Sequence, residues 1–300
     1  LIPVIIGVSL LVFSIMDIAE GDPVYQIVSE TASEEVIEAT REAYGLNDPF
    51  LVRYARYMIN LCKGSMGTSY ITKQDVFKTY MELLPNTVKL SLLAVVIAII
   101  VSIPLGINAA IHQNTWADTG SMFTSLLFVS MPQFWLGLLL MLAFALKLGW
   151  FPSGGNEDGL KSLILPAFTV GIGLAALMTR TTRSSMLETI RQDYITTAKA
   201  KGVSNKNAIY HHAFKNALIP IVTVGGMQLA QVLGGSVLAE TVFSYPGVGR
   251  LIVQSIERRD IPMVTGALIL TTIIVSVVNL ATDIVYAFID PRIKSQYARK

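Results

Sequence analysis

Residues able to carry out covalent or metal chemistry are scarce in this 300-residue chain and poorly placed for it. His211 and His212 are neighbours, so on a helix they point to different faces and cannot converge on one metal ion. The single Cys62 allows neither an intrachain disulfide nor a cysteine-based metal site. There is no G-x-x-x-x-G-K-S/T loop to cradle nucleotide phosphates, and neither H-E-x-x-H nor G-x-S-x-G occurs. What remains is recognition chemistry. Residues 183–220 form a long polar and basic stretch between two apolar runs, and Gln228, Gln231, Asn279 and Asp283 are polar groups set within apolar runs.

The elements that must hold these residues are membrane helices. Hydrophobic residues make up 52% of the chain and charged residues 15%. The mean hydropathy is +0.56, which excludes an ordinary soluble domain. A hydrocarbon core of ~30 Å needs about 20 apolar residues per helix. Runs at 1–16, 88–111, 122–148, 163–178, 217–239 and 264–289 predict six spans and an all-α integral membrane protein. The first run is short and begins with Leu rather than Met, so further residues are expected before Leu1; no basic n-region or small-residue cleavage pattern marks a signal peptide.

Net charge is only +2, but the charges are segregated. Arg180, Arg183, Arg191, Lys199, Lys201, Lys206 and Lys215 lie in one connection, and Arg292, Lys294, Arg299 and Lys300 lie in the tail. Lys147, Lys161, Arg250, Arg258 and Arg259 fall on the opposite face. The positive-inside rule then places the loop 181–216, the tail 290–300 and both termini in the cytoplasm. The division expected is a first span at 1–17, an extracytoplasmic subdomain at 18–87, a five-helix core at 88–289 and the tail. In the subdomain, Ser33 is set to cap a helix that Gly45 stops, and Leu51, Tyr54, Met58 and Leu61 repeat at helical spacing in a second one. It serves either as a lid on the outer helix ends or as a dock for an extracytoplasmic partner.

Inside the spans, Ala167, Gly171 and Ala175, and again Gly226, Ala230 and Gly234, recur at intervals that let helix backbones approach closely. Pro104 and Pro132 predict kinks. Lys89 reads as an anchor at the outer end of its span. Polar groups at membrane depth face protein or a water-filled path, so Gln228 and Gln231 are path candidates, whereas Asp283 reads better as an interfacial group. In the basic stretch, a helix is expected over 184–200, a corner at Gly202, and a second helix capped by Ser204 and running toward Pro220. Ile190, Tyr194, Thr197 and Ala198 are expected on one face of the first helix. On composition alone this stretch suits either insertion into a groove of a partner or contact with anionic membrane lipid.

The order Asp193-Tyr194, Thr196-Thr197-Ala198-Lys199-Ala200-Lys201-Gly202 and His212-Ala213-Phe214-Lys215-Asn216-Ala217-Leu218-Ile219-Pro220 resembles the cytoplasmic coupling-loop signature of ABC importer permeases. It is most similar to the dipeptide, oligopeptide and nickel branch. Gly21-Asp22-Pro23, Leu46-Asn47-Asp48-Pro49, Ser130-Met131-Pro132-Gln133-Phe134-Trp135, the run from Glu240 to Arg250 and Asp290-Pro291-Arg292 extend the resemblance over essentially the whole chain. The general signature opens with Glu-Ala-Ala where this chain has Thr196-Thr197-Ala198, and its spacing from Gly202 to Pro220 is longer than in the sugar-importer form; the peptide branch is similar in both respects.

The resemblance implies a type I ABC transmembrane domain of six helices in the cytoplasmic (inner) membrane of a prokaryote. It implies a heterodimer with a second, homologous permease subunit, two cytoplasmic ATPase subunits, and an extracytoplasmic substrate-binding protein that delivers the solute. ATP and Mg would be held by the ATPase subunits, with no cofactor, catalytic residue or metal ligand in this chain and no nucleic-acid partner. The ATPase-coupling residues would be Arg191, Asp193, Tyr194, Thr197, Ala198, Lys199, Lys201 and Gly202. Those of the path or gate would be Met131, Gln133, Gln228, Gln231 and Tyr245, the last in an outer turn, Ser244-Tyr245-Pro246-Gly247, that could equally be purely structural. Peptides are the expected cargo, with nickel or a metal chelate as the alternative. A secondary transporter is the rival class, but the clear mid-membrane ionisable residues it would need are missing.

Overall fold

The computed structural model describes residues 2–18, 22–28 and 32–289. Gly21, the Asp290-Pro291-Arg292 motif and the basic tail 290–300 lie outside the described residues. In chain order the helices are α1 (Ile2–Ile18), α2 (Val24–Ile27), α3 (Glu34–Tyr44), α4 (Phe50–Cys62), α5 (Val76–Ile111), α6 (Trp116–Ser130) and α7 (Gln133–Leu140). They continue with α8 (Leu160–Ile190), α9 (Asp193–Ala200), α10 (Asn205–Asn207), α11 (Phe214–Gly235), α12 (Val237–Val242), α13 (Val248–Glu257) and α14 (Ile261–Ile289). Two π-helical stretches extend α7 over Met141–Lys147 and join α10 to α11 over Ala208–Ala213. Among the described residues the extended structure is a single bridge between Thr68 and Asp75.

Four helices are long and apolar enough to cross a membrane, namely Val76–Ile111, Leu160–Ile190, Asn205–Gly234 and Ile261–Val285. A fifth candidate is the pair Trp116–Ser130 and Gln133–Lys147, bent by 99° at its break. Six spans were expected, and four helices, or five spans with the bent pair, have the length and apolarity to cross. The helix α1 is apolar, but its 17 residues rise only about 26 Å, short of a ~30 Å core. Pro132 is where the chain turns, and the N–H groups of Trp135 and Leu136 both bond to its carbonyl at 3.0 and 3.1 Å. Pro104, by contrast, lies inside an unbroken α5. That helix also opens well before the apolar window at residue 88. Asp75 Oδ1 accepts the Lys78 N–H at 2.9 Å and starts the helix in polar sequence that hydropathy does not register.

The chain forms two units, residues 1–87 with 246–276 and residues 88–245 with 277–300. In the first, α3 and α4 form as the sequence predicts. Ser33 Oγ accepts the Val36 N–H at 3.4 Å, and Gly45 ends α3 at φ +63, returning its N–H to the carbonyls of Arg41 and Glu42. The α4 ring of Tyr54 packs edge-on against Phe13 of α1 at 5.7 Å, and its hydroxyl shares a hydrogen bond with Ser9 at 3.0 Å. Ion pairs of Arg41 with Asp22, Arg53 with Asp17 and Arg56 with Asp48 tie the polar side. The loop before α5 is fastened to the start of α14. Asp260 accepts the Tyr70 N–H at 3.0 Å and the Ser69 hydroxyl, and Ser69 Oγ in turn accepts the N–H groups of Ile71 and Thr72. A core of Tyr80, Val248, Ile252, Ala267 and Leu270 closes this unit.

The second unit is built on α8, the most enclosed span, with 72% of its apolar window buried. The α5 helix lies against it at two points. A methyl group added at Gly106 would stand 2.5 Å from Thr182 Cβ and 2.8 Å from the Thr179 carbonyl oxygen, and one at Gly171 would stand 2.7 Å from the Ala94 carbonyl oxygen. Ala167 and Ala175 of the expected small-residue row are buried beside it. On α11, Gly226 meets Thr282 of α14 and Ala230 is buried, whereas Gly234 is exposed.

A leucine at Gly106 should force α5 from α8 and cost about 1–3 kcal/mol of overpacking. The control is Gly120 on α6, which has open space around it. Thermal unfolding in detergent should therefore drop for Gly106→Leu and stay unchanged for Gly120→Leu; equal melting of the two would contradict the seam.

Candidate functional site

The predicted single helix over 184–200 is two helices. α8 ends at Ile190, Gln192 is extended (φ −73, ψ 145), and α9 begins at Asp193. The cause is local: an acidic residue favours the positive end of a helix dipole, and Asp193 supplies one in the first turn of α9. The end of α9 follows expectation. Gly202 takes φ +89, a conformation L residues rarely adopt, and the N–H groups of Gly202 and Val203 bond back to the carbonyls of Lys199 and Ala198 at 3.0 and 3.1 Å. Ser204 Oγ then accepts the Asn207 N–H at 3.3 Å, and the helical path continues through the π-helical stretch and past Pro220 inside α11.

One side chain anchors α9. Ile195 is 1% exposed and packs with Ile107 and Ala110 of α5, Met186 of α8, and Ala208, Ile209, Ala213 and Ala217 beyond the corner. The sequence reading missed this residue, although an isolated β-branched apolar side chain in a polar helix is the signal that would have found it. The opposite side is open: Arg191, Asp193, Tyr194, Thr197, Lys199, Lys201 and Gly202 are exposed and Ala198 is half-buried. Tyr194 is held upright by its hydroxyl, which accepts a hydrogen bond from Asn216 Nδ2 at 2.7 Å. Arg191 Nη2 donates to Gln113 Oε1 at 2.9 Å. His211 and His212 are exposed in the π-helical stretch. The result is a short, rigidly seated helix presenting a basic and small-residue face with no enclosed reactive group.

A second contact, also missed from sequence, lies at the end of α8. Arg183 donates from Nε and Nη2 to the carboxylate of Asp118 at 2.6 and 2.7 Å, and Asp118, 4% exposed, also accepts the Asn114 N–H at 3.0 Å.

The five path or gate candidates do not form one site. Met131 and Gln133 flank the α6–α7 bend and line a pocket of about 300 Å³ with Phe128, Val129, Leu136, Thr169 and Gly173. Gln228, Gln231 and Tyr245 do not line it. Gln228 is buried against α8, with Nε2 donating to the Leu174 carbonyl at 3.4 Å and Oε1 enclosed without a hydrogen-bond partner. Gln231 is exposed, as are Asn279, Asp283 and Lys89. Tyr245 is enclosed in the core with Leu90, Ala94 and Val232, and its N–H bonds to the Glu240 carbonyl at 2.8 Å, which closes the turn. Burial, reinforced by the charge of Glu240, raises its phenol above the ordinary value. The loop after α7 is fixed to the same turn by the Gly155 N–H bonding to the Phe243 carbonyl at 3.0 Å.

Comparison with known proteins agrees with this geometry. Residues 102–295 match the family model described as binding-protein-dependent transport system inner membrane component. The chain is 40% identical to the dipeptide transport system permease protein DppB of Alkalihalophilus pseudofirmus, over 98% of this chain and 96% of that protein. It is 39% identical to the oligopeptide transport system permease protein AppB of Bacillus subtilis over the same shares. Its fold is similar to that of a chain in an inward-facing structure of the MetNI methionine ABC transporter, with a TM-score of 0.62 at 17% identity, covering 71% of this chain and 97% of that one. Matched along nearly its whole length, this helical membrane chain belongs to the binding-protein-dependent transport system inner membrane component family, the permeases of ABC transporters.

Proposed function

We propose that this chain is a transmembrane permease subunit of an ATP-driven importer that moves di- or oligopeptides across the cytoplasmic membrane. The observation that carries the reading is the alignment over 98% of the chain to a permease named for dipeptide transport, reinforced by one named for oligopeptide transport. Those names favour peptides over nickel or a metal chelate. In this reading the chain supplies six membrane crossings of a type I transmembrane domain, with α1 and the bent pair α6–α7 counted among them and both termini cytoplasmic. It pairs with a second, homologous permease. Two ATPase subunits hold ATP and Mg, and an extracytoplasmic binding protein presents the peptide.

The α9 helix is the coupling element in this scheme. Ile195 roots it in the membrane-embedded core, while Tyr194, Thr197, Ala198 and Lys201 face outward for a groove on an ATPase subunit. Arg191 and Lys199 flank this face and suit carboxylates of the same partner. Rigid movement of α9 as the ATPases close would pass to the spans it is packed on. Met131 and Gln133 at the bend, and Gln228 in α11, remain the residues assigned to the path, with Gln231 and Tyr245 as outer candidates.

Three outcomes test this. Gly202 has open space around it, so Gly202→Leu carries mainly the strain of its left-handed conformation, about 1–2 kcal/mol. The variant should reach the membrane at normal level and lose ATP-dependent uptake; uptake at the wild-type rate would remove the coupling role. In a Cys62→Ser background, cysteines at Tyr194, Thr197 and Lys201 should react with a maleimide in the isolated chain and be shielded when ATPase subunits bind, while one at Ile195 stays unreactive in both. Mass spectrometry and metal analysis of the ligand on the co-purified binding protein should find peptide. Nickel there would reverse the substrate assignment, and proton-driven uptake that survives ATP depletion would point to a secondary transporter.

A further inference from the structure

The contact between Asp118 and Arg183 lies outside α9 and is a two-pronged ion pair that joins α6 to α8 in the second unit. Both guanidinium nitrogens of the pair lie within 2.7 Å of carboxylate oxygens, and a third bond from the Asn114 N–H fixes the carboxylate to the turn that precedes α6. Further along α8, Arg191 donates to Gln113 in that same turn. A two-pronged guanidinium–carboxylate pair fixes orientation as well as distance. An enclosed carboxylate stripped of its partner is heavily penalised, so the pair resists separation. Close apolar packing, as at Gly106 and Thr182, holds helices together; the ion pair also holds them in rotational register.

Asp118 stands in the first turn of α6, which then runs unbroken to Ser130. At ~1.5 Å per residue that distance is about 18 Å. It ends at the Met131–Pro132 break, where the helical path bends by 99° and the pocket of about 300 Å³ opens. At the other end, Arg183 lies on the last part of α8, about two turns before the helix ends at Ile190 and the break releases α9.

We propose that Asp118 and Arg183 are positioning residues that make α6 follow the end of α8, so that displacement of α9 is delivered to the Met131–Gln133 corner. This rests on the reading of α9 as the coupling element. In it, α6 is the lever, the ion pair is its attachment and the bent pair is the part that moves.

The test uses the complete transporter in proteoliposomes and reads peptide taken up per ATP hydrolysed. Asp118→Asn should lower that ratio about tenfold, the upper range for mutations along a coupling route, while the ATPase subunits stay bound and continue to hydrolyse ATP. Asp118→Glu, which keeps a carboxylate for both Arg183 and the Asn114 N–H, should retain most of the ratio. A wild-type ratio in Asp118→Asn overturns the proposal, as does a ratio in Asp118→Glu as low as in Asp118→Asn while the chain is present in the membrane. If either variant does not accumulate, Arg183→Lys decides: it keeps the charge and loses the two-pronged geometry, so it must lower the ratio, and a wild-type ratio overturns the proposal. Failure of the α9 reading shows separately. A Thr197→Arg chain that retains its ATPase subunits and transports normally removes α9 from the mechanism, whatever the result at Asp118.

Discussion

Helices in a bilayer gain nothing from leaving lipid for one another on hydrophobic grounds, because the lipid is as apolar as they are. What holds them is the contact made where backbones come close, and in the second unit that happens along α5 and α8. Gly106 lies against Thr182 and the Thr179 carbonyl, Gly171 against the Ala94 carbonyl, and any larger residue at either point would push the helices apart. The hydroxyls of Thr179 and Thr182 are turned back to their own helix at 2.7 and 2.8 Å, so they add no unpaired donor to the seam. Everything beyond it depends on that fit. The cluster that receives Ile195 is made by the ends of these same two helices, and a shift between them would unseat α9.

The α9 candidates and the pair Met131 and Gln133 lie at interruptions of helices, whereas Gln228 and Gln231 lie within α11. Between α8 and α9 the chain is extended at Gln192, and between α6 and α7 it turns at Met131 and Pro132. An interruption costs backbone hydrogen bonds, and in a membrane those cannot be left unmade. In each case the carbonyl before the break opens the next helix, that of Gln192 accepting the Ile195 N–H and that of Pro132 accepting the Trp135 and Leu136 N–H groups. Each break provides a change of direction. That is what a chain needs if it must present a short helix on one side and frame a pocket on another.

Under the proposed function, the sequence without nucleotide-binding or hydrolase motifs and the seated α9 with its exposed face suit one division of labour. A chain that converts a partner's movement into its own has no use for a nucleophile or a phosphate loop. It needs stiff elements with defined attachments, and Ile195, Asp118 and Arg183 provide attachments of two kinds, one apolar and one ionic.

Local sequence rules determined a good deal. Apolar run length located the four long spans and the bent pair, Ser33 and Gly45 bounded α3, Gly202 made the corner after α9, Ser204 capped the short α10, and the spacing of Gly171 and Ala175 foretold a close helix contact. Each of these depends on residues within a turn or two of one another, which is why the sequence sufficed. The motifs likewise identified the family. Tertiary structure alone decided the rest. It showed that α5 starts in polar sequence at Val76, and that the kink expected at Pro132 is a bend of 99° between two helices. It also showed that Ile195, which is not among the residues expected on one face of this helix, is the root of α9, and that Asp118 and Arg183, 65 residues apart, form one ion pair. Such pairings are set by which helix faces meet in space, and a periodic apolar pattern gives the faces of a helix without naming the neighbour each will find.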